Sequence, residues 1–147
     1  MANIFEFQQR AKKLTRKKIR NDLYKFIRSL EEELAAYNRA TLHDESEDVF
    51  GNPIGFYSPM TEILTDGRKK RGEPFDLLDS GDFLDGLFAK VEKDSVFFDT
   101  KDSKRKEVLQ NLMSENIFGL QEKDIQKVLE TRLLPFFTRY FREKLIG

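Results

Sequence analysis

The chain has 147 residues, enough for one domain burying about 70 % of its unfolded surface, and 39 % hydrophobic residues with 14 Phe supply an ordinary core. Lys and Arg number 26 and so do Asp and Glu, so no global field favours nucleic acid or an acidic membrane surface, and such binding would need a local patch. The absence of Cys removes disulfides, thiolate catalysis and Cys-ligated zinc; with no apolar leader core near Met1 and no apolar run longer than Leu133 to Phe137, the reading is a soluble, cytoplasmic protein.

At the N-terminus, Ile4, Phe7, Ala11 and Leu14 form one helical stripe. Ile19, Leu23, Phe26, Ile27, Leu30, Leu34 and Tyr37 form another over residues 19–37, set about a quarter turn from the first on a wheel of about 100° per residue. One straight helix cannot bury both stripes against one surface. Either the helix bends near residues 15–18, or residues 1–18 project as a helical arm that buries Ile4, Phe7 and Leu14 on a partner. The same stretch is basic, with Arg10, Lys12, Lys13, Arg16, Lys17, Lys18 and Arg20. That charge suits a phosphate-facing arm, but it equally suits a solvated face offset by Glu31, Glu32 and Glu33, and no base-reading side chains accompany it.

Residues 41–76 read as a long loop. Ser58 and Pro59 are a good N-cap and first-turn pair, so a short helix is expected over Pro59–Leu64, closed near Gly67. Arg68, Lys69, Lys70 and Arg71 then form an exposed basic tip. A connection of this length suits docking, with Phe56 and Tyr57 as anchors and the basic tip as rim, ordered only on assembly; the alternative is that the two aromatics tuck beneath the sheet. His43 reads as a surface residue, since no second His or Cys could share a metal with it.

Residues 79–82 offer a cap for a single helical turn carrying Phe83 and Leu84, which Gly86 can end. From Leu87 the period changes to two, with Leu87, Ala89 and Val91 on one face; after Glu92, Lys93 and Asp94 a second run follows from Ser95 to Asp99. The pair reads as a hairpin over about 87–99. Ser103 can cap a short helix whose Val108, Leu109, Leu112 and Met113 share a side, and residues 116–120 form a tight turn. Ile125 to Leu145 keep helical spacing, and Pro135 should bend that helix by removing a hydrogen bond to Thr131. The fold class is α+β: one domain, 1–147, with a small antiparallel sheet packed against a long N-terminal helix and a C-terminal helix.

Candidates for acid–base chemistry are confined to Asp76, Asp79, Asp82, Asp85 and Asp99, and capping or solvent exposure accounts for three of them, Asp79, Asp82 and Asp85. No Walker loop, GxGxxG or GxSxG occurs, so the residues point to a binding or assembly module and not to an enzyme.

Three boxes carry a resemblance. Pro53 to Thr61, followed by Lys69 or Lys70, then Leu77 to Phe83, then Ile117 to Leu120 with Asp124 and Ile125 opening the last helix, resembles the phage virion-morphogenesis family of tail-completion proteins found in Mu-type phages. The resemblance spans roughly residues 50–145. Phe56 and Tyr57 stand where that family has Trp, and Glu115 or Asn116 where it has Arg. It implies a structural protein without a cofactor that joins or terminates the tail and helps complete the head–tail junction. Such a protein would form a homo-oligomer, as a ring of identical subunits, bind tail or connector proteins, and reside in the host cytoplasm during assembly and then in the virion. The reading from another class is a nucleic-acid-binding accessory protein using residues 10–20.

Overall fold

The computed structural model describes residues 3–74 and 82–147. In chain order its elements are α1 (Ile4–Lys13), α2 (Arg16–Arg28), α3 (Glu31–Ala40), α4 (Pro59–Leu64), α5 (Asp82–Asp85), β1 (Leu87–Val91), β2 (Val96–Thr100), α6 (Arg105–Asn111), α7 (Glu122–Val128) and α8 (Leu134–Phe141). Wider π turns follow α3 at Thr41–Glu45, α7 at Leu129–Leu133 and α8 at Arg142–Ile146. The mixture of helices with one antiparallel pair is the α+β class expected. Contacts gather the chain into two compact units, Leu30–Glu122 on one hand and Met1–Ser29 with Lys123–Gly147 on the other. Among the described residues no helix is long and apolar enough to cross a membrane.

Within Leu30–Glu122 the hairpin sits where period-two spacing placed it. The register runs from Leu87↔Thr100 to Val91↔Val96, and Leu87, Ala89 and Val91 are buried while Lys90 faces out. The helix that covers this sheet is α3, whose Leu34 and Ala35 are buried. Polar contacts fix the packing: Glu31 accepts from the Val91 N–H at 2.6 Å, and Arg39 donates to the carbonyls of Leu84 and Leu87 at 2.8 and 3.3 Å. The core beneath comprises Leu42, Ile54, Phe83, Leu84, Leu87 and Ile117, with Val108, Leu109, Leu112 and Phe118 packed on it. Gly86 follows α5 where no side chain fits, since a Cβ there would stand 2.8 Å from the Thr100 hydroxyl and 3.0 Å from the Asp82 carbonyl.

Several expectations are corrected. The helix read over 19–37 is two helices, because Ser29 turns its hydroxyl onto the Phe26 carbonyl, while Glu31, Glu32 and Glu33 favour a fresh positive N-terminus. Within Leu30–Glu122 the sheet's partner is therefore α3, the later part of that reading. Ser103 does not cap α6, whose N-cap position is Lys104 without a side-chain bond, and Met113 is exposed. The cap proposed at residues 79–81 lies outside the described residues.

In the unit formed by Met1–Ser29 and Lys123–Gly147, the first two helices separate at Leu14 and Thr15. Thr15 caps α2 by accepting from the Lys18 N–H at 3.1 Å, which resolves the quarter-turn offset of the two stripes through a break near the expected bend. The arm expected at residues 1–18 folds back within this unit, with α1 packed on the turn Arg142–Ile146. The unit's centre is aromatic. Phe26 stacks on Phe136 with centroids 4.3 Å apart, and Phe136 in turn meets Tyr140 at 5.4 Å. Pro135 cannot donate to Thr131, and the preceding turn widens so that the Leu134 N–H reaches the Leu129 carbonyl five residues back.

Tyr140 is buried, and its phenol donates to the Asp22 carboxylate at 2.6 Å, with the Lys18 ammonium 3.4 Å from the same oxygen. Burial first, then the bond to Asp22, push this phenol up to about 12, while the same bond draws the Asp22 carboxyl below its ordinary value. A raised phenol pKa favours the folded state below the unfolded value of about 10 and is lost as pH rises through the folded one. Absorbance titration at 295 nm should show one tyrosine with a midpoint near the upper value, absent in Tyr140→Phe, and that variant should lose about 1.5–3 kcal/mol in urea unfolding at pH 7. Phe26→Ala should cost about 2 kcal/mol by the same measure, less than a fully buried ring because Phe26 is only partly buried.

Candidate functional site

Residues 46–74 of the long loop carry a local fold, and its anchor is Asp48. This carboxylate is fully buried. Its Oδ1 accepts from the Phe50 and Asn52 N–H groups, both at 2.9 Å, and its Oδ2 from the Ser114 hydroxyl. The Asp48 carbonyl accepts from the Gln121 amide at 3.0 Å, and that amide also donates to Glu47 at 2.9 Å. Backbone bonds from Val49 to Asn116 and from Met113 to Ile54, both 2.9 Å, lace residues 48–54 to residues 113–116. Burial alone would raise the Asp48 carboxyl, but the donors from Ser114, Asn52 and Phe50 outweigh it and hold the pKa below its ordinary value.

On this base stands a closed excursion from Phe56 to Pro74, which pair as an isolated bridge. Inside it the Tyr57 N–H donates to the Glu73 carbonyl at 2.9 Å and the Gly72 N–H to the Tyr57 carbonyl at 3.0 Å. Helix α4 lies within, capped by Ser58 and opened by Pro59 as the sequence indicates. Gly67, at φ 78°, donates its N–H back to the Glu62 carbonyl at 2.9 Å and closes it.

The surface this presents is more apolar than the sequence reading had it. Met60, Ile63 and Leu64, spaced three and four apart on one side of α4, are 62, 64 and 75 % exposed, and Phe56 is exposed beside them in sequence. The basic tip is partly spent. Arg71 donates its backbone and guanidinium N–H groups to Glu62 at 2.7 to 3.3 Å, first the backbone bond and then the side chain holding the Glu62 carboxyl below its ordinary value. Lys69 lies over the half-buried Tyr57 ring at 5.2 Å. Arg68 and Lys70 remain exposed.

Of the residues singled out from sequence, Phe56, Tyr57, Arg68, Lys69, Lys70 and Arg71 are therefore brought together on one excursion. Ile4, Phe7 and Leu14 belong to the other unit, where Ile4 and Phe7 are exposed and Leu14 is half buried. Met60, Ile63 and Leu64 were missed as a surface, though their spacing on a helix of six residues was a visible signal. In the basic segment, Arg16 and Lys17 are exposed, but Lys18 pairs with Asp22 at 3.4 Å. Among the acids, Asp82 and Asp85 are exposed, and Asp99 pairs with Arg105 at 2.6 Å; Asp76 and Asp79 lie outside the described residues. His43 is half buried on the turn Thr41–Glu45, and among the described residues no group of three or more His, Asp or Glu could hold a metal ion.

In comparisons with protein-family models, curated proteins and solved structures, nothing matches this chain.

The sign of the Asp48 contribution is testable. A folded-state pKa below the unfolded value stabilises above the unfolded pKa and is lost as pH falls through the folded one. Asp48→Asn keeps the shape but cannot accept from Ser114 through its amide nitrogen, so it should lose about 1–3 kcal/mol in urea unfolding at pH 7. As pH falls below the ordinary Asp value of about 4, wild type and variant should converge.

Proposed function

We propose that this chain is a structural protein of phage or prophage virion morphogenesis that completes or terminates the tail, or the head–tail junction, through self-assembly and contacts with tail or connector proteins. It would do so in the host cytoplasm and then remain in the virion. The observation that carries the reading is the exposed face of Met60, Ile63 and Leu64, flanked in sequence by Phe56 and by Arg68 and Lys70, held on an excursion that Asp48 anchors. A rigidly based apolar face with a basic edge has the composition of a protein interface core and rim. The resemblance agrees in kind: its boxes contribute Ile54, Phe83 and Ile117 to one buried cluster, while the docking surface begins within the first box at Phe56 and Met60 and continues beyond it through Ile63 and Leu64.

Met60→Ser, Ile63→Ser and Leu64→Ser together should leave the melting temperature within a few degrees of wild type, because these side chains are already solvated. The wild-type chain should assemble beyond a pair by light scattering and electron microscopy, and the triple variant should not. In cells carrying the cognate prophage, the variant should yield heads and tails that fail to join. Normal particles from the variant would overturn the reading. Retention on DNA that falls by about 10³ between about 50 and 200 mM salt, without assembly, would put the basic segment 10–20 in its place.

A further inference from the structure

The inner side of the C-terminal helical run is accounted for by Val128, Phe136 and Tyr140, but its outer side is not. Ile125, Leu129 and Leu134 are 46, 41 and 59 % exposed. In an α-helix Leu134 would be rotated about 140° from Leu129. The π turn Leu129–Leu133, in which the Leu134 N–H closes on the Leu129 carbonyl, reduces that rotation and brings Leu134 nearer the side of Leu129. Alongside Leu134 lies an open groove of about 560 Å³, lined by Glu130, Leu134, Pro135, Thr138, Arg139 and Arg142.

Charge along this groove is ordered. Glu130 stands at one end and Arg139 and Arg142 at the other, with Leu134 and Pro135 between them; nine residues of helix separate Glu130 from Arg139 by about 13 Å. Glu130 accepts a bond from the Gln126 amide at 2.7 Å, and among the described residues neither arginine has an acidic partner. The groove thus offers both signs, in a fixed order, around an apolar centre.

We propose that a second copy of the chain occupies this groove, antiparallel, about a two-fold axis passing between Leu134 and Pro135. Residues 130 and 139 are equidistant from that axis. An isologous contact therefore sets Glu130 of each copy against Arg139 of the other, twice, while Leu134 and Pro135 of both copies close the centre. A parallel arrangement would oppose like charges, an acidic partner would leave Glu130 facing its own sign, and a basic partner would do the same to the arginines. This pairing does not depend on the face of α4.

The full chain tests it by light scattering and sedimentation, with circular dichroism as the check on folding. The Met60, Ile63 and Leu64 triple variant is the background, so that pairing is read apart from larger assembly. This background should be a dimer. Glu130→Arg and Arg139→Glu should each raise the dimer Kd by about 10-fold or more without changing the spectrum, since both side chains face solvent in the single copy. An equimolar mixture of the two should recover a heterodimer, and the double variant should recover a homodimer. A monomeric background, single variants as tight as the parent, or a mixture that stays dissociated would each overturn the proposal.

Discussion

A carboxylate with no exposed surface is an expensive thing to bury, and Asp48 is tolerated because its lone pairs are met on every side. Two backbone N–H groups of its own turn and the Ser114 hydroxyl reach the side chain, while Gln121 reaches its carbonyl. The same bonds tie residues 46–54 to residues 113–121. Ile54 and Ile117, both fully buried, meet in the core because the segments on which they ride are held together at Asp48. The loop that carries α4 inherits its base from this arrangement. Removing the charge would loosen a surface that the carboxylate never touches.

What the sequence disclosed follows the range of the interactions involved. The hairpin and α4 were legible almost to the residue, because alternation at Leu87, Ala89 and Val91 and the Ser58–Pro59 cap are local facts. The break at Ser29 was not, because the stripe from Ile19 to Tyr37 continues through it, and a serine hydroxyl turned onto its own helix leaves no mark in periodicity. Long-range polar pairs were likewise invisible. In the sequence Asp48 is one acid in a run with Asp44, Glu45 and Glu47, and Tyr140 is one more aromatic of the final helix, although Asp22 waits for it over a hundred positions away. At the candidate site, the residue types that chemistry notices, cations and aromatics, were picked out; three ordinary aliphatic positions on α4 form the larger exposed face.

The apolar inventory therefore divides by role. Ile54, Phe83 and Ile117 fill the core of the unit Leu30–Glu122, and the exposed apolar side chains on α4 and on the outer face of the C-terminal run are spent on neither core. A chain whose charges cancel overall has no long-range field to gather partners, so short-range fit on such faces has to decide what it meets.

The unit that joins Met1–Ser29 to Lys123–Gly147 is discontinuous, and synthesis meets that fact before folding does. As the ribosome advances, Leu30–Glu122 emerges as one contiguous stretch and can close on itself, whereas Phe26 and Asp22 appear early and find no partner until Phe136 and Tyr140 have been made. During that interval α2 is a basic, amphipathic segment with its stacking face open. Prior folding of the middle unit would shorten the effective loop that the late pairing must close, and so lower its entropic cost. The order of translation would thus make the middle unit a precondition for the terminal one, and damage near Asp48 could surface as a delay in burying Phe26.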